Sequence, residues 1–327
     1  MNEKAVSVLE QYELKPLAIF KQRGNYGCNT TEGKYLLLEY DFSEEKLVSL
    51  FQVQEYLEQK GLKTERLVFN QEHHLISVGE DGFGYVLKRI YDVEECDIHN
   101  REHMKAAAKN LARFHKATYN MENAFDEEVR IYPGKNLLEA FQKHNKEIVN
   151  IRNYIEKRRN KNFFERYLQH IIEGYYRQGQ ETVTLLEQST YQELYEESCE
   201  RKQLIHGNYN HHALAFEKQQ PVLVNLTKVY YGPQIHDVYD FLRKVLEKNA
   251  WKPNLGHEVI SWYEAVNPLQ DTEKDILKLL LSYPEKFWKI VNYYYNSNKA
   301  WYSDKNEEKL KSFQEQEELR WCFIHSL

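Results

Sequence analysis

The residue types best suited to chemistry gather between positions 199 and 237. Cys199, His206 and the adjacent pair His211-His212 supply sulfur and imidazole, the ligand types of zinc and related metals. Their arrangement argues against a metal centre. Neighbouring residues of a strand face opposite ways, and no set with metal-ligand spacing completes the site. Near the N-terminus, Gly24 and Gly27 lie in R-G-N-Y-G-C. Phosphate-cradling loops present backbone N–H groups from G-x-G-x-x-G, a pattern this run does not satisfy, and a turn explains both glycines.

The elements that must position these residues follow from periodicity. The runs LAIF and KYLLLEY flank a stretch holding Gly24, Gly27 and Gly33, which predicts a hairpin between Leu17 and Tyr40. Asp41 or Ser43 is then the N-cap of a helix with Leu47, Leu50, Phe51, Tyr56 and Leu57 on one stripe, ending at Gly61. Strands are expected over His74–Val78 and Tyr85–Tyr91, joined by the turn EDGFG. After the connector Tyr91–Asp97 the pattern becomes helical. Asn100 caps a helix carrying Met104, Ala107, Ala108, Leu111 and Phe114. Within the helical part, LIHGNYNHHALAF and PVLVNLTKVY predict a hairpin with a polar loop. The expected division is a strand-rich lobe over 1–93 and a helical lobe over 94–327, with the hairpin at 204–230.

Composition narrows the function class. The chain has 327 residues and a formal net charge of -6, with no basic block to serve as a nucleic-acid footprint. No apolar run reaches membrane-spanning length, and the charged N-terminus does not read as a signal peptide. Cys28, Cys96, Cys199 and Cys322 are isolated, so neither a zinc ribbon nor a disulfide framework is indicated. The 25 tyrosines read as amphipathic packing residues, with surface cohesion or oxidative cross-linking as the other reading.

His206-Gly207-Asn208-Tyr209-Asn210-His211-His212-Ala213 resembles the H-G-D-x-x-x-x-N loop of aminoglycoside and choline kinase-like phosphotransferases. Val224-Asn225-Leu226 stands where those enzymes carry I-D-F/W, and Gly232-Pro233-Gln234-Ile235-His236-Asp237 resembles G-D-P-x-x-D. Beyond these loops, nearly the whole chain resembles the CotS-type spore coat family. That resemblance rests on SVGEDGFGYVLKRIYDVEECDI, LARFHK, IHGNYNHHAL, DVYDFLRKVLEKNAW and YPEKFWKIVNYYYNSNKAW. It implies an α+β, bilobal protein kinase-like fold with a small antiparallel-sheet lobe and a large helical lobe. It also implies association with the spore coat.

The departures fall on the positions that phosphoryl transfer needs. The catalytic Asp is matched by Asn208, which has no useful basicity. The metal-ligating Asn is matched by Ala213, and the metal-binding Asp by Asn225, so neither carboxylate for magnesium is present. The phosphate-pairing Lys is matched by Leu38, with Lys34 on the same strand face and Lys88 on another strand as weaker candidates. His206 is expected to pack and hold the loop, and Asp237 to accept backbone N–H groups of residues 206–213 as a scaffold.

The reading that follows is a pseudokinase with no cofactor and no metal, acting as a structural or interaction protein of the spore coat. Its partners would be other coat proteins, and it would be assembled from the mother-cell cytoplasm. One alternative is a small-molecule phosphotransferase using ATP and magnesium, rebuilt around Asp237, Glu94, Asp97 or Lys88. Another is a module that binds nucleotide or metabolite without turnover.

Overall fold

The computed structural model describes residues 3–22, 24–40, 43–90, 94–125, 129–296 and 303–327. Its chain gathers into two units, one of residues 1–132 with 201–231 and one of residues 133–200 with 232–327. The expected boundary after residue 93 lies inside the first unit, and the hairpin at 204–230 belongs to that unit as well.

Unit 1 begins with helix α1 (Glu3–Glu10), which the strand-rich reading of this region did not anticipate. Strands β1 (Pro16–Gln22), β2 (Asn25–Thr30) and β3 (Gly33–Glu39) follow as an antiparallel meander. The predicted hairpin is therefore corrected: a third strand occupies the stretch between its two arms. Gly27 sits within β2 and not in a turn, paired with Phe20 and Leu36, and a Cβ there would lie 2.4 Å from the Phe20 ring. The meander continues through β6 (Gly84–Ile90), which also pairs β4 (Arg66–Leu67) and β5 (Ile76–Val78), giving the order β1-β2-β3-β6-β4.

Alternation along these strands separates two faces. Cys28, Tyr35, Leu37, Tyr85 and Leu87 form a core with Ala5, Val8 and Leu9 of α1. The register puts Phe20, Gly27, Leu36, Leu38, Val86 and Lys88 on the opposite face. Helix α2 (Glu44–Gln59) starts at Ser43, whose side chain makes no capping bond; the rival cap Asp41 lies outside the described residues. Its buried stripe of Leu47, Leu50, Val53 and Leu57 has the expected spacing. Strand β7 (Glu94–Glu95) leads to α3 (Arg101–Ala117), capped as predicted by Asn100, whose side chain accepts the N–H groups of Glu102 and His103.

Unit 2 is helical: α4 (Leu137–Lys157), α5 (Phe163–Gln188), α6 (Tyr191–Glu200), α7 (Ile235–Lys248), α8 (Pro253–Glu264), α9 (Asp271–Ser282), α10 (Glu285–Asn296), α11 (Ser303–Glu315) and α12 (Glu317–Ser326). Asn162 and Glu165 close a reciprocal capping box at the start of α5. Ile148, Ile151, Phe164, Leu168, Phe287 and Leu310 join four of these helices in one apolar core. Trp288 and Tyr294 pack the tail as expected, with Trp288 stacked on His144 at 3.4 Å between ring centroids. Trp301 lies outside the described residues. Most tyrosines serve packing, with Tyr191, Tyr209 and Tyr283 fully buried and Tyr119, Tyr132, Tyr154 and Tyr293 exposed. Among the described residues no helix is long and apolar enough to cross a membrane.

Candidate functional site

The loop with the spacing of a phosphotransferase site runs from β8 (Leu204–Ile205) to β9 (Leu214–Glu217). It is followed by β10 (Gln220–Leu223), a single 3-10 turn at Leu226–Lys228 and β11 (Tyr230–Tyr231). β9 pairs both β10 and β7, while β11 pairs β8, so the loop is held at both ends by backbone ladders. Gly207 is required where it stands. Its φ is +73°, and an added Cβ would lie 2.3 Å from the Lys228 carbonyl oxygen.

The side chains of the loop are committed to its own architecture. His206 is fully buried, its Nε2 lies 3.2 Å from the Val224 carbonyl, and its ring stands edge-on to Phe114 and Tyr209. That is the packing role expected of it. Tyr209 donates its hydroxyl to the Ala107 carbonyl at 2.8 Å, pinning the loop to α3. Asn208 accepts from Asn210 Nδ2 through both its backbone oxygen at 2.9 Å and its Oδ1 at 3.1 Å. The Asn208 amide is thus a hydrogen-bond acceptor within the turn. Ala213 is buried, and its backbone pairs with Asn210 and Val224.

Asn225 adopts a left-handed backbone with φ 60°, which asparagine tolerates better than most residues. Its Nδ2 donates to the His212 carbonyl at 3.2 Å. His211 and His212 lie in a turn, so the expectation of opposed strand faces is corrected: their rings are 3.9 Å apart. Among the described residues no three His, Cys, Asp or Glu side chains stand close enough to hold a metal ion.

Glu65, which the sequence did not single out, organises the charge here. Its Oε1 accepts Lys88 Nζ at 2.8 Å and the backbone N–H of Asn225 at 3.0 Å. The Lys88 and Glu65 side chains are 6% and 7% exposed, so the pair is desolvated and each group depends on the other. Backbone bonds of 2.8 Å join Glu65 N–H to the Leu223 carbonyl and Leu223 N–H to the Lys63 carbonyl, and Lys63 is ion-paired to Glu217. Segment 63–65 is therefore zipped onto the hairpin, and Lys88 is anchored to it. No local pattern could have found Glu65, because its partners lie 23 and 160 residues away.

The remaining expected positions are dispersed. Leu38 shares a sheet face with Lys88 and Lys34, with Leu36 directly opposite Lys88. Lys34 is exposed and four residues from Leu38, about 13 Å along the strand. Glu94 is exposed on β7, and Asp97 accepts the His99 N–H at 2.8 Å in a turn before α3. Asp237 belongs to unit 2, where it is 1% exposed in the first turn of α7. Between α2 and the turn at 226–228 lies a hollow of about 40 Å³ lined by Tyr40, Ser49, Leu50, Ile131, Leu226 and Val229. That is room for about one water molecule.

These features define a protein with the kinase-like fold of the aminoglycoside phosphotransferases and a neutral set of residues at the loop positions. Across residues 5–327 the chain matches the family described as "Spore coat putative kinase YutH", and it belongs to that family. It is 23% identical over 300 residues to spore coat protein S of Bacillus subtilis (strain 168), covering 91% of this chain and 85% of that one. Among solved structures, an aminoglycoside phosphotransferase from Alicyclobacillus acidocaldarius superposes with a TM-score of 0.83 at 18% identity, covering 98% of this chain and 94% of that one. The AMP-bound spectinomycin phosphotransferase gives 0.65 at 14% identity, with 98% of each chain covered. The expected fold class and the spore coat resemblance are both met.

Proposed function

We propose that this chain is a spore coat contact protein built on a phosphotransferase body, without phosphoryl transfer of its own. The observation that carries the reading is the state of the loop positions. Phosphoryl transfer needs a group to take or orient the hydroxyl proton, anionic ligands for magnesium and a cation for the phosphates. Here Asn208 is an amide turned to Asn210, Ala213 is a methyl group, Asn225 is an amide turned to His212, and Lys88 neutralises Glu65. These residues do not fit a magnesium–nucleotide complex. Magnesium favours carboxylate oxygens, and Lys88 could reach a phosphate only by stranding the buried Glu65 charge.

The coat assignment draws on the family and on spore coat protein S. Other coat proteins would be its partners, and delivery from the mother-cell cytoplasm would bring it to the spore surface. The structural relatives named as phosphotransferases make the rival reading, a small-molecule kinase with a rebuilt site, the one to test against. Thermal melting with ATP or GTP, in magnesium and in EDTA, separates them. A nucleotide at about 100 times its dissociation constant would add about 2.7 kcal/mol, a shift of several degrees. The expected result is no shift in any condition. A magnesium-dependent rise overturns the reading, and a rise in EDTA without turnover would make the chain a binding module. A fluorescent fusion that stays diffuse in sporulating cells would remove the coat assignment.

A further inference from the structure

Helices α7, α10 and α11 of unit 2 enclose two adjoining hollows of about 470 and 350 Å³ that share Glu247, Lys286 and Lys309. Six lysines line them: Lys244, Lys248, Lys286, Lys289, Lys305 and Lys309. With Arg243 they make seven cations. The carboxylates are Glu247 and Glu308 on the lining, with Asp240 and Glu285 bonded to Arg243 and Lys289. Seven against four leaves an excess of three positive charges, in a chain whose net charge is -6. Burial, with Arg243 and Lys289 nearby, holds Lys244 below the ordinary lysine range despite Asp240. Apolar ground is supplied by Tyr293, half-exposed beneath Lys309, and by the buried Trp251 and Phe313.

The opposite pattern occurs on α6 of the same unit. Its sequence YQELYEESCE has no Lys or Arg, and Glu193, Glu196, Glu197 and Glu200 are all exposed. Their spacing of three, four and seven places them on one helix face, where like charges repel and the isolated helix is weakened. An acidic stripe and a basic groove on one chain are complementary in sign.

We propose that the lysine groove of one copy receives the acidic face of α6 of a second copy. The two surfaces are different, so the contact is head-to-tail: each added copy offers one groove and one helix to the next, and growth stops only where the rotation between copies closes a ring. A concave groove of this size takes a helix ridge with its side chains rather than a nucleic-acid duplex. The inference rests on the contact-protein reading. Its test measures association and not nucleotide binding, so the two fail separately.

The experiment is mass measurement by analytical ultracentrifugation over a concentration series of the full chain. At about 50 mM salt the mean mass should rise above the monomer, and the association should weaken about tenfold or more at about 500 mM, because exposed charges are screened. The groove variant Lys248→Glu/Lys305→Glu/Lys309→Glu and the helix variant Glu193→Lys/Glu196→Lys/Glu200→Lys should each be monomeric alone. Mixed, they should associate again, since each then offers the other's complement. Melting curves confirm that both fold, and the salt series on the unmodified chain tests the contact should either fail. Salt-independent association, association of the single variants, or a mixture that stays monomeric overturns the proposal. So does a monomeric wild-type chain that binds poly-glutamate, which would assign the groove to a different acidic protein.

Discussion

The hairpin of unit 1 and the α7–α10 pair of unit 2 treat charge in opposite ways. In the hairpin, Asn208, Ala213 and Asn225 are all neutral and all tied into backbone turns. In α7, Arg243 is 4% exposed and bonded to Asp240 at 3.0 Å and Glu247 at 2.5 Å. Lys286 at the start of α10 reaches the same Glu247 at 3.2 Å. Burial alone would raise the Glu247 carboxyl, but Arg243 and Lys286 hold it below the ordinary range. Glu285 is likewise buried and kept well below that range by His144, Lys289 and Arg243. Helices α7 and α10 thus meet through the Lys286–Glu247 pair, whose carboxylate also holds the buried Arg243. Charge gathers between these helices, whereas Asn208, Ala213 and Asn225 of the hairpin carry none.

The comparison is broken most sharply at the buried Lys88–Glu65 pair of unit 1. Lys88→Met leaves Glu65 charged and unpaired, and should cost about 3–5 kcal/mol in chemical denaturation. Removing both charges together, as Lys88→Met/Glu65→Gln, should recover much of that loss. If Lys88→Met is nearly neutral, the pair is not holding the hairpin, and Lys88 is available for a ligand.

A similar loss can be reached in unit 2 by pH alone. Burial pushes the His236 imidazole down to about 4, and its ring faces the Tyr191 hydroxyl at 3.0 Å. In the unfolded chain the same histidine titrates near 6.5, so between the two values the unfolded state binds more protons. Stability is complete above about pH 6.5 and falls toward pH 4, by about 3 kcal/mol from this group. Denaturation midpoints across that window should show the slope, and His236→Gln should flatten it.

Gly207→Ala tests the hairpin's backbone. The positive φ and the Lys228 carbonyl at 2.3 Å should make it cost about 2–3 kcal/mol, with β11 displaced from β8. The smallest effect is expected for Asn225→Asp, about 1 kcal/mol, since aspartate also tolerates the left-handed region and the side chain is exposed, while only the donation to the His212 carbonyl is lost. A large loss there would mean that the fold itself needs the neutral amide. A small one, with no gain of magnesium-dependent melting, would mean that the rest of the site has changed too.

Much of this was legible along the chain. The spacing of Leu47, Leu50 and Leu57 and the Asn100 cap appeared as read, because each depends on neighbours a few residues away. The strand pair joined by EDGFG appeared too, with the first strand starting at Ile76 rather than His74, the second at Gly84, and Tyr91 outside the described residues. The His206–Ala213 loop and its missing chemical groups were also legible, since a substitution of residue type needs no geometry to be seen. Strand β2 was not. Asn25–Thr30 is polar, glycine-bearing and turn-like in composition, and only Phe20 lying over Gly27 and ladders on both sides make it a strand. Helix α1 was missed because its apolar residues gain their partners, Tyr35, Leu37 and Leu87, from strands well downstream.

By itself, then, the sequence determined the fold class, the family resemblance and the neutral amides at residues 208 and 225, all properties of residue identity and short-range period. Only the tertiary structure decided what became of the remaining charges. Whether Lys88 faces a ligand or Glu65, and whether six lysines from three helices form one groove, depends on distances between residues far apart in the chain. Electrostatic energy depends on separation and burial rather than on order along the chain, so no reading of the order alone contains it.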